Sequence, residues 1–171
     1  CPPSDIDAAI ELAFRPNVVV TTFGDMYRVP STKYSLAEAA AKGASVRVVY
    51  GIGDAVELAK KMPDKEVVHF AIGFETTAPS TAYVLSADPP PNFSIVPSHR
   101  LIPPAIEHLL NLGEARIDGF ILPAHVSAVI GAVPFDFISR DYGIANVIAG
   151  FEPLHIMVTN HAVTIPVQNR H

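Results

Sequence analysis

Asp25, Glu75, Thr76, Thr77, His125, Ser127 and Glu152 share one local setting: each stands at the polar end of an apolar, β-type run of the chain. The runs occupy residues 17–26, 66–77, 118–127 and 146–154, and each ends abruptly in polar side chains. In an open parallel sheet, ligands bind outside the carboxyl ends of the strands. The expectation is therefore that these residues lie along one edge of one sheet. Carboxylates placed there relay protons or orient donors. Backbone N–H groups at a strand-to-helix turn, as at Glu75-Thr76-Thr77, attract an anion or a polarised ligand. Capping by Thr76 or Thr77, a carbonyl-bonded His125 and a surface Glu152 are the purely structural alternatives. Capping leaves Glu75 unexplained, and the tripeptide Gly-Phe-Glu recurs at 73–75 and 150–152, which no generic fold requires.

Other motifs are weaker. Gly51-Ile-Gly53-Asp-Ala-Val56 follows a predicted strand and opens a predicted helix, but Val56 stands where a dinucleotide fingerprint has its third glycine. No Walker phosphate loop is present. His69, inside an apolar strand, reads as a core or interface histidine. His99, His155, His161 and His171 have no metal-ligand spacing. Cys1, the single cysteine, is a candidate redox or metal thiolate if it is internal to a longer chain.

The elements that position these residues follow from period and punctuation. Helices are expected over 4–14 with Ser4 as N-cap, 35–42, 54–62, 77–85, 103–112, 126–132 and 134–142. Strands are expected over 18–22, 45–50, 66–72, 93–96, 119–122 and 146–149. The β-α alternation predicts a Rossmann-like, doubly wound α/β fold: an open, mostly parallel sheet with helices on both faces. Residues 1–42 read as the end of a first α/β domain, 43–154 as a second, and 155–171 as a tail without a clear period. With 49% apolar and 17% charged residues a substantial core is expected. A net charge of −5 without a basic block argues against nucleic acid, and no run suits a membrane span. One cysteine fits a reducing cytoplasm. The chain opens Cys1-Pro2-Pro3 without methionine and reads as a piece of a longer protein.

Four segments together resemble the hydrogenase maturation protein D family (HypD): Thr22-Phe-Gly-Asp-Met-Tyr-Arg-Val-Pro30, Gly73-Phe-Glu-Thr-Thr-Ala-Pro79, Pro123-Ala-His-Val-Ser127 and Gly150-Phe-Glu-Pro-Leu154. The resemblance runs from about Cys1 to Leu154. It implies a scaffold role in assembling the Fe(CN)2CO group of [NiFe]-hydrogenases, rather than turnover chemistry. It implies a small chaperone partner, the C protein, and cyanide delivery by the E and F proteins. It also implies a [4Fe-4S] domain in the full-length protein, which is not expected in this chain. By this resemblance Cys1, Glu75, Thr76, Thr77, His125, Ser127 and Glu152 are the reactive candidates. Asp25, Arg28 and Gly73 would border the iron–cyanide unit, with Asp25 and Arg28 paired, and Cys1 would be a metal thiolate.

The chain departs from the family pattern in several places. The family's Cys-x-His-Glu-His motif is absent. Ser31 replaces a usual glycine, and His155 a usual aspartate. Two other readings stand beside the resemblance: a nucleotide-binding enzyme using Gly51–Val56, and a protein-interaction domain without chemistry.

Overall fold

The structure, a computed structural model, describes residues 2–113 and 116–168. It has two compact units, residues 1–73 with 77–99 and residues 74–76 with 100–171. Both are built from parallel strands and helices, so the α/β class expected from the sequence is the class observed.

The first unit runs α1 (Pro3–Ala13), β1 (Val18–Phe23), α2 (Leu36–Ala41), β2 (Val46–Val49), α3 (Ile52–Lys61), β3 (Glu66–Gly73), α4 (Ala78–Ser86) and β4 (Phe93–His99). Its four strands are all parallel, in the order β2-β1-β3-β4. β3 is buried from Val67 through Ile72, as a strand covered on both faces must be. Val20, Val68, Phe70 and Ile72 face Ile6, Ala9, Ile10, Leu36 and Ala39 from α1 and α2. On the opposite side Val19, Val67 and Phe93 meet Ile52, Ala55 and Ala59 of α3. β4 carries Pro97, which lacks an N–H, and accordingly lies at a sheet edge. The helix between β1 and β2 and the helix between β3 and β4 cover opposite faces. The strand order therefore reverses between β1 and β3, and the crevice of such a sheet lies outside the carboxyl ends of that pair.

The second unit contains α5 (Ile102–Asn111), β5 (Gly119–Pro123), α6 (Ala124–Ile130), a 3-10 turn (Val133–Phe135), α7 (Phe137–Arg140), β6 (Ala145–Ala149) and α8 (Pro153–Gln168). β5 and β6 form a two-stranded parallel sheet, with Gly119 opposite Ala145 and Pro123 opposite Ala149. Leu122, Val126, Phe135 and Ile138 make its core. α8 lies against both strands. Gly119 permits that approach, because a Cβ at this position would stand 2.3 Å from Val163 Cγ1.

Several expectations change. The strands form two sheets, not one. β1 sits between β2 and β3, so no boundary falls at residue 42; the chain divides near residue 99. Ser4 lies inside α1, whose N-cap is Pro2. The helix expected over 134–142 is a 3-10 turn followed by the short α7. The stretch after residue 154 is helical as far as Gln168. Polar residues such as His155, Asn160 and His161 are scattered among its apolar and β-branched ones, so neither the helical nor the strand period stands out in it.

Candidate functional site

In the first unit, the loops after β1 and β3 flank the reversal point. After β1 the chain turns through successive N–H to carbonyl bonds, Met26 to Phe23 and Tyr27 to Gly24, of 3.1 and 3.3 Å. Met26, 8% exposed, anchors this turn in the core and leaves Asp25 and Arg28 facing solvent. The expected Asp25–Arg28 pair is not formed: no ion pair joins these two residues.

At the end of β3, Gly73 has φ of 118°, in the region where only glycine is unstrained. Thr77 explains why no side chain fits. Its hydroxyl donates to the Ile72 carbonyl at 2.9 Å, and a Cβ on Gly73 would lie 2.0 Å from that oxygen. Thr77 is the N-cap residue of α4 by position, but its side chain does not cap the helix. The hydroxyl turns back to lock the loop, which corrects the expectation that a threonine here satisfies a helix N–H.

Below this edge lies a polar layer that the sequence reading did not single out as a site. Thr21 and His69 are paired across β1 and β3, and Thr21 Oγ1 lies 2.9 Å from His69 Nδ1. Both residues are fully buried. Phe23 packs edge-on to the imidazole, with ring centroids 5.2 Å apart. His69 Nε2 and, on the other face, Thr22 Oγ1 are buried without a hydrogen-bond partner. Burial, and secondarily the nearby His99, lowers the His69 pKa to about 4, so the ring is neutral at pH 7. The reading of His69 as a core histidine holds. The signal was available in principle: three polar residues, Thr21, Thr22 and His69, inside otherwise apolar strands.

In the second unit, Glu75 is 5% exposed. Its Oε1 accepts the Ile102 N–H at 2.6 Å. Ile102 is the first residue of α5, and Pro103 and Pro104 follow it without N–H groups. Ile102 therefore carries the one amide donor among the first three helical positions, and Glu75 takes it. This places a carboxylate at the positive end of a helix dipole. Oε2 is buried with no hydrogen-bond partner. Thr76, next to it, is exposed.

His125 and Glu152 follow the carboxyl ends of β5 and β6. His125 is exposed and stacks on Phe151, with centroids 4.9 Å apart and planes at 30°. Ser127 Oγ donates to the Pro123 carbonyl at 3.2 Å within α6. Glu152 is exposed just before α8, and its carbonyl accepts the Ile156 N–H. His125, Ser127 and Glu152 thus share one edge of the two-stranded sheet. Asp25 and Gly73 share the edge of the other sheet, after strands β1 and β3. Cys1 lies outside the described residues. Among the described residues no three His, Cys, Asp or Glu side chains are grouped to hold a metal ion.

The dinucleotide reading of Gly51–Val56 fares poorly. The Asp54 carboxylate accepts the N–H groups of Tyr50 and Gly51 at 3.1 and 3.2 Å. A negative group already occupies the place where a phosphate would sit, and α3 follows β2 at the sheet edge, away from the reversal point.

Comparison with known proteins decides the family. The HypD family model, described as the hydrogenase formation hypA family, matches residues 1–170. The chain belongs to the HypD family. It is 48% identical over 159 residues to hydrogenase maturation factor HypD of Rhodobacter capsulatus, covering 91% of this chain and 42% of that protein. It is 43% identical over 159 residues to hydrogenase maturation factor HypD of Escherichia coli (strain K12), covering 91% and 43%. A putative hydrogenase expression/formation protein of Methanocaldococcus jannaschii is 46% identical over 157 residues, covering 90% and 43%. The chain thus spans less than half the length of these HypD relatives. No helix among its described residues is long and apolar enough to cross a membrane.

Proposed function

We propose that this chain supplies part of a cytoplasmic HypD scaffold on which an iron ion, as cargo, acquires the cyanide and CO ligands of the [NiFe]-hydrogenase group. The observation that carries the proposal is the placement of two family-like motifs, around Asp25 and around Gly73, at the reversal point of one parallel sheet. Ligands of such sheets bind at that point. Asp25 and Arg28 are solvent-facing there. Gly73 and Thr77 form a rigid turn beside them, suited to hold polar groups in fixed orientation.

The partners of this reading are the small C chaperone and the cyanide-delivering E and F proteins. The scaffold holds and orients its cargo; turnover chemistry is not required of it. A [4Fe-4S] cluster needs four thiolates as a rule, and one cysteine does not fit that demand.

The test transplants this segment into a full-length HypD and measures hydrogenase maturation in a strain lacking its own copy. The transplant should support maturation and Asp25→Asn should abolish most of it, while the chaperone is still captured in a pull-down. Full maturation by Asp25→Asn removes the Asp25 edge from the site.

A further inference from the structure

Between Val67 and Ile72 the β3 strand carries one polar side chain, His69. It is paired with Thr21 of β1, the strand that leads into the Asp25 loop. A fully buried imidazole needs partners for two ring nitrogens, where an apolar residue needs none. Nδ1 has the Thr21 hydroxyl at 2.9 Å, and Nε2 has no hydrogen-bond partner among the described residues. Packing alone therefore favours an apolar side chain of similar size at this position. Among the described residues no three His, Cys, Asp or Glu side chains are grouped around it as metal ligands would be. What the imidazole supplies is a flat ring in a fixed orientation.

Phe23 is the neighbour that uses this ring. The two planes meet at 75°, with centroids 5.2 Å apart. Edge-to-face pairs at such distances attract, because the rim of an aromatic ring is positive and its face negative. Burial keeps His69 neutral at pH 7, so the imidazole retains that character. The terminal torsion of a histidine is otherwise broad and roughly two-fold, and the bond to Thr21 restricts it. Thr21 thus orients His69, and His69 orients Phe23.

Phe23 is the last residue of β1 and begins the loop. Its carbonyl accepts the Met26 N–H at 3.1 Å, and the Gly24 carbonyl accepts the Tyr27 N–H at 3.3 Å. Asp25 stands exposed inside this turn, and Arg28 follows it. Met26 anchors the turn in the core. Gly24, exposed and without a side chain, restrains nothing between Phe23 and Asp25. The turn therefore needs a second anchor to hold one orientation, and Phe23 against the His69 ring is placed to be that anchor.

We propose that His69 is a positioning residue for the loop after β1: pinned by Thr21, its imidazole holds the Phe23 ring and so fixes the turn that presents Asp25 and Arg28. The proposal rests on the reading of that loop as part of the site.

Hydrogen–deuterium exchange over residues 22–30, in the full-length HypD carrying this segment, reads the positioning directly. His69→Asn keeps a hydrogen-bonding group for Thr21 and removes the ring. Phe23→Leu removes the aromatic partner at a half-buried position and keeps an apolar side chain there. Each should speed exchange over 22–30 on the order of fivefold, the worth of one aromatic pair, and each should lower hydrogenase maturation. Exchange over α1 and α3 of the same unit should stay at the parent's rate. With Phe23 already leucine, His69→Asn should add nothing over 22–30, because two groups acting through one contact are not additive. Thr21→Val, which unpins the imidazole, replaces His69→Asn in this scheme should that variant not fold. An unchanged rate over 22–30 overturns the proposal, even where Asp25→Asn abolishes maturation and the site reading stands. A rise shared by α1 and α3 overturns it too, as lost stability rather than lost position. So does an undiminished effect of His69→Asn in the Phe23→Leu background. Faster loop exchange with maturation untouched removes the loop from the site, and His69 with it.

Discussion

The two sheets of this chain obey the same parallel geometry but are finished differently. The first has four strands, helices on both faces, and a β3 strand whose side chains from Val67 to Ile72 are all buried. The second has two strands, and every residue of β6 before Ala149 keeps some solvent exposure. Large apolar side chains are exposed along Phe151, Leu154, Met157 and Val158 in the second unit. A parallel sheet is stable when both faces are covered. The first unit meets that condition within itself. The second, taken by itself, meets it on fewer sides, and its open surface is where the sequence turned out hardest to read.

Core truncation should expose this contrast most strongly. Phe70 is fully buried in β3, and Phe70→Ala should cost about 3–5 kcal/mol. Phe151→Ala, at a side chain 77% exposed, should change stability by less than about 0.5 kcal/mol. Chemical denaturation of the two variants measures both. Equal losses would mean that the second unit is as tightly closed as the first.

A pH series probes the buried polar layer of the first unit. His69 folds neutral with its pKa lowered to about 4 from 6.5. Between those values the unfolded chain holds a proton that the native chain does not. Stability should therefore fall as pH is lowered from 6.5 to about 4, by up to about 3 kcal/mol, and then level off as far as this group is concerned. His99 is shifted down as well, by burial, and acts with the same sign. His69→Phe keeps the bulk and removes the titration, so its stability should vary less across that window. Urea midpoints at several pH values decide it; an unchanged slope would remove His69 from the account of acid sensitivity.

Glu75 gives an intermediate effect in the second unit. Glu75→Ala removes the acceptor for the Ile102 N–H and should cost about 1–2 kcal/mol, the range for a lost helix cap. Glu75→Gln retains a carbonyl acceptor and loses the charge, so it should cost less than the alanine variant. Thermal unfolding of both, set beside maturation in the transplanted protein, separates the two roles. Should the glutamine variant be as stable as the parent yet inactive, Oε2 acts beyond the cap. Should activity follow stability through both variants, the cap is all that Glu75 contributes.

The sequence was legible where one physical cause dominated. Continuous apolar runs placed every strand, and Gly and Pro ended most helices near the right residue. Strand order was not legible, because pairing β1 between β2 and β3 depends on register among distant segments and leaves no local period. The motifs pointed to the strand ends correctly, but whether two ends share a sheet is again a matter of pairing. That is why Glu75, His125 and Glu152 were expected on one edge and follow strands of two sheets. The Glu75–Ile102 bond was hidden for the same reason, although the Pro103-Pro104 pair hinted at a helix start short of donors. Capping by Thr76 or Thr77 was the expected structural use, because it is the commonest role of a threonine before a helix; at Thr77 the tight Gly73 turn offers a nearer acceptor.

Asp25 should give the smallest effect on stability and the most informative one on function. It is exposed, and no hydrogen bond or ion pair holds it among the described residues. Asp25→Asn is nearly isosteric and should shift the unfolding midpoint by no more than about 0.5 kcal/mol in free energy. The turn around it is held by Met26 and by backbone bonds that the substitution leaves intact. A fall in hydrogenase maturation therefore cannot be charged to a collapsed first unit. Arg28→Gln supplies the counterpart at the same loop, since the two side chains form no pair and their effects on stability should be separately small. If both variants mature hydrogenase at the parent's level, the solvent-facing side of the β1 loop has no role, and the rigid Gly73–Thr77 turn alone would have to explain why this sheet edge is built as it is.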